Sequence, residues 1–211
     1  MYVLIEYINE LKDRIGFKVT YFEYKPGDRT KLFSQLKRLI GSSKESILVL
    51  TYLSDLATDD LTVEEGKVRE EYYKSILEQV PKGVRYERVL QIDIDDRQNN
   101  LSTLKLLKNN KFYLKHFHEI VDLMDNPRYN SNLRIYKASA SLLASFMIVD
   151  KKYLILEIDE VLKTGQNNIY GVFVIEDPRE EITRYFENFF NDILKTRGRG
   201  LVQKNELPSI N

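Results

Sequence analysis

Two histidines, an alternating row of small polar residues and a cluster of aspartates are the groups in this chain with which chemistry could be done. The imidazoles are His116 and His118, in Lys115-His116-Phe117-His118-Glu119. An imidazole serves as nucleophile, general base or metal ligand. On a helix, residues two apart point to different faces, so these two share a ligand only in an extended segment. His118 and Asp122 do fall four apart on one helix face, but the sequence specifies no third ligand. The plainer reading, which we adopt, is that both are ordinary surface or core histidines. Asp93, Asp95 and Asp96 stand at the end of a predicted strand, where α/β sheets place ligands such as magnesium or a sugar. A solvated strand exit is the simpler account of them. Lys137, Ser139, Ser141, Leu143 and Ser145 alternate, so an extended backbone lines one face with them. An ammonium and three hydroxyls there would hold a phosphate or another anion without cleaving it. The competing reading is a small-residue turn running into a buried strand. No Ser-His-Asp arrangement is present to activate a serine, and no catalytic residue, metal ligand or cofactor is assigned from these residues.

The whole chain narrows the field. Its 211 residues, 43% apolar and 11% aromatic, are enough to bury one sizeable core and are marginal for two. Basic and acidic side chains number 32 each. That balance argues against the isolated chain gripping nucleic acid, an affinity that comes from basic excess. There is no cysteine, which excludes disulfides, thiolate catalysis and Cys-based metal sites. The opening Met1-Tyr2-Val3-Leu4-Ile5-Glu6 lacks the basic lead of a secretion signal. The weakly polar run from Ala138 to Val149 is far short of the roughly 20 residues a membrane span needs. A cytoplasmic protein without a membrane anchor is the expectation.

Strands and helices alternate along the chain. A helix is predicted over residues 2–15, with Leu4, Ile8, Leu11 and Ile15 on one face, then a strand from Phe17 to Tyr24. A second helix follows Thr30 and stops at Gly41, and the apolar run Ile47 to Leu53 reads as a strand buried on both faces. The acidic stretch 54–71 leads into a helix that ends at Pro81, its carboxylates favouring the helix dipole. A strand from Val84 to about Ile94 follows, then helix over 101–125 and an extended Leu133 to Lys137. Leu143–Val149 and Tyr153–Ile158 form a hairpin around Asp150-Lys151-Lys152, and Ile169–Ile175 is the last strand. A final helix is predicted with Asp177 as N-cap, Pro178 in its first position and Glu180 in the capping-box place. The pattern is α/β, a layered mixed β-sheet flanked by helices. It forms one domain over 1–195, in which 1–27 either completes the sheet or is an addition to it, and 196–211, containing Arg197-Gly198-Arg199-Gly200, is a flexible tail.

Four of these features together resemble one half of a phospholipase D-type enzyme. They are the strand Ser46–Tyr52 after its helix; Pro81-Lys82-Gly83-Val84 leading into the next strand; the strand–turn–strand from Ala144 to Leu156; and Gly171–Pro178 running into a helix with Tyr185-Phe186-Glu187-Asn188-Phe189-Phe190. The third is similar to the setting of the family's H-x-K-x4-D signature, with Asp150 at the aspartate position. The resemblance implies a histidine that attacks phosphorus and a lysine that neutralises phosphate oxygens. Leu143 and Ser145 occupy those positions here, Glu157-Ile158 replaces the family's Gly-Ser pair, and Glu160 replaces the asparagine beyond it. The resemblance therefore implies the architecture without the catalytic pair. The expected function is a ligand-sensing or protein-interaction module, with Lys137, Ser139, Ser141, Ser145 and Asp150 as candidate contacts to a small anionic or phosphate-containing ligand. The alternative is a phosphodiesterase or nuclease whose catalytic groups have moved, with His116 or His118 as the displaced nucleophile. Because enzymes of the family combine two halves around one pocket, a single half also implies a homodimer.

Overall fold

Ile47, Leu48, Val49 and Leu50 are each no more than 7% exposed. Successive side chains of a strand point to opposite faces, so such a run must lie inside a sheet covered on both sides. The protein, a computed structural model, is described over residues 16–53, 61–92, 104, 111–129, 131–139, 145–161 and 167–209. Its elements are β1 (Lys18–Glu23), α1 (Asp28–Gly41), β2 (Ser46–Leu53), α2 (Val63–Gln79), β3 (Arg85–Ile92), α3 (Lys111–Met124), β4 (Leu133–Ser139), β5 (Phe146–Val149), β6 (Tyr153–Val161), β7 (Asn167–Glu176), α4 (Glu181–Arg197) and β8 (Gly198–Leu201).

The strands form one eight-stranded sheet in the order β1-β7-β6-β5-β2-β3-β4-β8. The central β2, β3 and β4 are mutually parallel and every other pairing is antiparallel. The mixed α/β sheet expected from the alternation is therefore present. Each face has its own core. Ile47, Val49, Tyr86, Leu90, Ile135 and Met147 pack with α1, α2 and α3, while Leu48, Leu50, Val89, Phe146 and Ile148 pack with Phe190 and Ile193 of α4. No helix among the described residues is long and apolar enough to cross a membrane.

One open alternative is decided and two expectations need correcting. First, β1 pairs with β7 from Lys18↔Glu176 to Glu23↔Gly171, so residues 18–23 join this sheet; the helix predicted over 2–15 lies outside the described residues. Second, α4 begins at Glu181, not at Pro178, with Glu180 at φ 59° as its N-cap. Asp177 still serves the helix. Its fully buried carboxylate accepts from the Thr183 amide at 2.8 Å and the Thr183 hydroxyl at 3.1 Å. The capping box belongs instead to α2, where Thr62 Oγ1 accepts from Glu65 N and Glu65 Oε2 from Thr62 N.

Third, the segment expected to fray past residue 195 is ordered against the sheet. Helix α4 runs on to Arg197, β8 pairs with β4, and Val202 and Leu207 are buried in the core. The two glycines of Arg-Gly-Arg-Gly are geometric requirements. A Cβ on Gly198 would stand 2.4 Å from the Leu194 carbonyl oxygen, and Gly200 takes φ +94°. A sequence that looks like a loose tail is a tight exit from a helix into an edge strand.

Helices α1 and α2 are joined by a buried ion pair. Arg29 Nε lies 3.1 Å from Glu65 Oε1 and Nη2 lies 3.2 Å from Oε2, with both residues under 10% exposed. Glu65 also takes the Gly27 amide at 3.3 Å. Removing one member of such a pair strands the other charge, so Glu65→Ala should cost about 3 kcal/mol or more in urea denaturation. The double change Arg29→Met with Glu65→Met should cost less than Glu65→Ala alone. Equal losses would show that the charges themselves are not what holds these helices.

Candidate functional site

Pairing places a polar row across the sheet near the carboxyl ends of the parallel strands. Leu50 stands beside Phe146, and Phe146 beside Leu156. One step further, Ser145 Oγ accepts from Tyr52 N at 3.2 Å, and its carbonyl accepts from Glu157 N at 3.0 Å. Thr51 is aligned with Leu90, and Leu90 with Lys137. By the two-residue period of strands, Glu157, Ser145, Thr51 and Lys137 all belong to the face covered by α1, α2 and α3.

Beside this row is a buried guanidinium that the sequence reading missed. Arg88 is 4% exposed. Its Nε and Nη2 donate to Thr51 Oγ1 at 3.1 and 3.0 Å, Nη1 to Tyr86 OH at 3.3 Å and Nη2 to Tyr113 OH at 3.0 Å. The rings of Tyr113 and Phe117 each lie with their centroids 5.0 Å from it. Among the described residues no carboxylate pairs with Arg88. Its charge is held by hydroxyl oxygens and ring faces, a cation–π arrangement that is worth most when desolvated. Burial raises the phenols of Tyr72, Tyr73 and Tyr86 above their ordinary range, so these hydroxyls are neutral. The signal was legible: Tyr86, Arg88 and Leu90 share one strand face, and an arginine between two core residues at period two is a buried charge.

Arg69 of α2, also 4% exposed, extends the cluster by donating to Tyr73 OH at 3.3 Å. His116 is stacked on Tyr73 with ring centroids 4.5 Å apart and planes 24° apart. It is 1% exposed, and neither ring nitrogen has a hydrogen-bond partner.

The candidate residues are held apart by separate partners. Lys137 is ion-paired with Glu206, and Ser139 Oγ accepts from Arg199 Nε at 3.1 Å. The segment after α4 thus supplies both partners. Ser141 and Leu143 lie outside the described residues, as do Asp93, Asp95 and Asp96. Asp150 sits at the other end of the sheet. Its carboxylate accepts from the amides of Lys44 at 2.8 Å, Glu45 at 2.9 Å and Ser46 at 3.0 Å. Asp150 and Lys151 take φ 50° and 56° in the hairpin turn. Asp150 is therefore a clamp between that turn and the start of β2, and its oxygens are committed to backbone. His118 and Asp122, the one pair placed to share a ligand, instead bind the following segment. His118 Nε2 lies 2.7 Å from the Pro208 carbonyl, to which it donates, and Asp122 is paired with Lys204. No group of three or more His, Asp or Glu that could hold a metal occurs among the described residues.

No protein-family model matches the sequence, and no curated protein does. Among solved structures, the chain is similar to phosphatidylserine synthase from Haemophilus influenzae, with a TM-score of 0.56 at 11% identity over 92% of this chain and 41% of that one. It is also similar to Nuc, a phospholipase D family member from Salmonella typhimurium, with a TM-score of 0.49 at 17% identity over 89% of this chain and 99% of that one. A further likeness is to TrmBL2, an archaeal chromatin protein, with a TM-score of 0.49 at 13% identity over 94% of this chain and 63% of that one. The fold is phospholipase D-like. Ser145 falls within the polar row, and Asp150 falls at the opposite end of the strand, about 17 Å away at ~3.3 Å of rise per residue over five residues.

Two expectations follow from this geometry. Replacing Asp150 by Ala leaves three amides without their acceptor and places a Cβ-bearing non-Asx residue at positive φ. Asp150→Ala should cost about 2–3 kcal/mol in chemical denaturation, and Asp150→Asn, which keeps an acceptor and tolerates that φ, distinctly less. The second concerns pH. Burial first, and then the charge of Arg88, hold the His116 imidazole well below its ordinary value of 6.5. Below that pH the unfolded chain binds a proton that the folded chain does not, so stability falls as pH drops from about 7 toward 5. His116→Phe keeps the stack and removes the proton site. Its urea midpoints should fall less over that interval than those of the natural chain, and parallel curves would count against a buried neutral imidazole.

Proposed function

We propose that this phospholipase D-like domain has given up phosphodiester chemistry and works as a regulatory module, binding a ligand or another protein as a homodimer. One observation carries the reading. At the position where the resemblance puts a phosphate-neutralising lysine, Ser145 offers a hydroxyl already engaged by the Tyr52 amide. The neighbouring cation, Arg88, is enclosed by Thr51, Tyr86 and Tyr113 rather than open to a substrate. The sequence adds Leu143 at the nucleophile's position, and leucine has no atom that can attack phosphorus.

Neither imidazole supports relocated catalysis. His118 is bonded to the Pro208 carbonyl, and His116 is stacked under Tyr73. A dimer is the arrangement by which a single half would complete a shared pocket, and residues near Ser145 are where a drier contact would replace a charged one. The zero formal charge favours a protein or small-molecule partner over a nucleic-acid backbone.

The test is turnover of bis(p-nitrophenyl) phosphate and of single-stranded DNA, with and without magnesium, alongside light scattering across a concentration series. No cleavage above that of a double variant, His116→Ala with His118→Ala, together with a mass of two chains, is the expected result. Cleavage that this double change abolishes would restore the enzymatic reading. A monomer at high concentration would remove the shared-pocket dimer.

A further inference from the structure

We propose that the free edge of β1 is a self-association site, at which a second copy of this chain adds its own β1 as an antiparallel strand. Among the described residues β1 ends the sheet, and the direction of its backbone groups follows from its pairing. Tyr24 N donates to Tyr170 O at 3.0 Å. By the alternation of an antiparallel ladder, Lys18, Thr20 and Phe22 then exchange hydrogen bonds with β7. Val19, Tyr21 and Glu23 direct their amides and carbonyls away from the sheet. The Glu23 carbonyl is taken by Lys25 N at 2.9 Å, which closes the edge at that end. The complete donor–acceptor sets left facing outward are those of Val19 and Tyr21, on either side of Thr20.

The other edge of the sheet is guarded and this one is not. β8 has four residues, two of them glycine, carries Arg199 and meets β4 with a shifted register. Short length, charge and irregularity are the means by which edges resist pairing with another chain. β1 is Lys-Val-Thr-Tyr-Phe-Glu, six residues with no proline or glycine and an unshifted register. A two-fold axis at Thr20 sets Val19 of one copy opposite Tyr21 of the other, and the bonds so formed saturate these outward groups on both copies. Both side chains stand on the α4 face, where a β-branched residue beside an aromatic one is a favourable cross-strand pair. Lys18 falls opposite Phe22, so no like charges oppose one another. This self-complementarity selects a second copy over a foreign strand. The contact is distinct from one beside Ser145, since β5 lies three strands away from β1. It draws on the homodimer reading for its partner and on nothing at the Ser145 row.

The chain has no cysteine, so an introduced thiol reports alone. On the axis, Thr20 of each copy faces its counterpart as a pair without mutual hydrogen bonds, about 4.5 Å apart between Cα atoms and within reach of a disulfide. Thr20→Cys should give a disulfide-linked dimer under mild oxidation. Lys18→Cys should give none, because its counterparts stand about 14 Å apart at ~3.4 Å of rise per residue over four residues. Val19→Pro removes an outward N–H that no bond to β7 uses, a change that edge strands tolerate. Combined with Thr20→Cys, it should keep the fold and lose the link. Equal linking by the two cysteines, no link from Thr20→Cys, or a link that survives Val19→Pro would each overturn the edge contact. Should Val19→Pro not fold, the comparison of the two cysteines decides alone. A mass of two chains by light scattering without the Thr20→Cys link would overturn the edge contact and leave the homodimer reading standing, whereas a monomer at high concentration would remove both.

Discussion

A positive charge in the middle of a sheet, with no carboxylate among the described residues to meet it, is the constraint around which this protein is organised. A guanidinium is always protonated, so Arg88 cannot escape burial by losing its proton as a lysine could. The protein satisfies it with geometry. Two nitrogens converge on Thr51 Oγ1, two phenols take the remaining directions, and two rings close the faces. The partners come from three elements, Thr51 from β2, Tyr86 from β3 and Tyr113 and Phe117 from α3, so the charge ties these three together. The tyrosines that serve it then pack with Tyr72, Tyr73 and Phe33 into one aromatic layer under α1 and α2. His116 is kept neutral by its burial first and then by the same charge. Substituting any of these hydroxyls removes an oxygen that the buried cation cannot replace with water.

The two ends of the sheet are built differently, and the difference bears on function. At the amino ends of the parallel strands, polar groups are fastened to backbone. Asp150 clamps residues 44–46, Arg85 N donates to Glu45 O, and Asp177 N donates to Lys152 O at 2.7 Å while its carboxylate holds the start of α4. At the carboxyl ends lie Thr51, Ser145, Glu157 and Lys137, the end at which open α/β sheets bind ligands. Asp150 belongs to the fastened end, where its loss would cost stability whatever the chemistry. Ser145 belongs to the other end.

Much of the fold was legible because hydrophobic period and burial agree. The unbroken Ile47–Leu53 run could only be a central strand, and the stripe Leu32, Phe33, Leu36, Leu39 and Ile40 could only be a helix face; all five of those side chains are buried. Errors arose where local chemistry admits two geometries. Asp177-Pro178 spells a helix start, yet the chain passes through a left-handed Glu180 before the helix begins, and the aspartate reaches six residues forward to do its capping. Arg-Gly-Arg-Gly spells disorder by composition, but its glycines are required by a close approach and a positive φ that only the folded backbone defines. These contacts reach only four to six residues along the chain, but they depend on a backbone path that residue types alone do not specify.

The candidate site was less legible than the fold for a related reason. Side chains were assigned to a common pocket because they alternate along one strand, and alternation does place them on one face. It does not say what else approaches that face. The segment after α4, read as a tail, comes back along β4 and engages Lys137 through Glu206 and Ser139 through Arg199, while Lys204 and Pro208 engage the acid and imidazole of α3. One misread segment therefore supplies the partners of four candidate residues. Arg88 was overlooked for the opposite reason. Search rules look for charges that are exposed and clustered, whereas a lone arginine between Tyr86 and Leu90 at strand period announces a charge committed to the interior. A buried cation with only hydroxyl partners holds three elements in one arrangement.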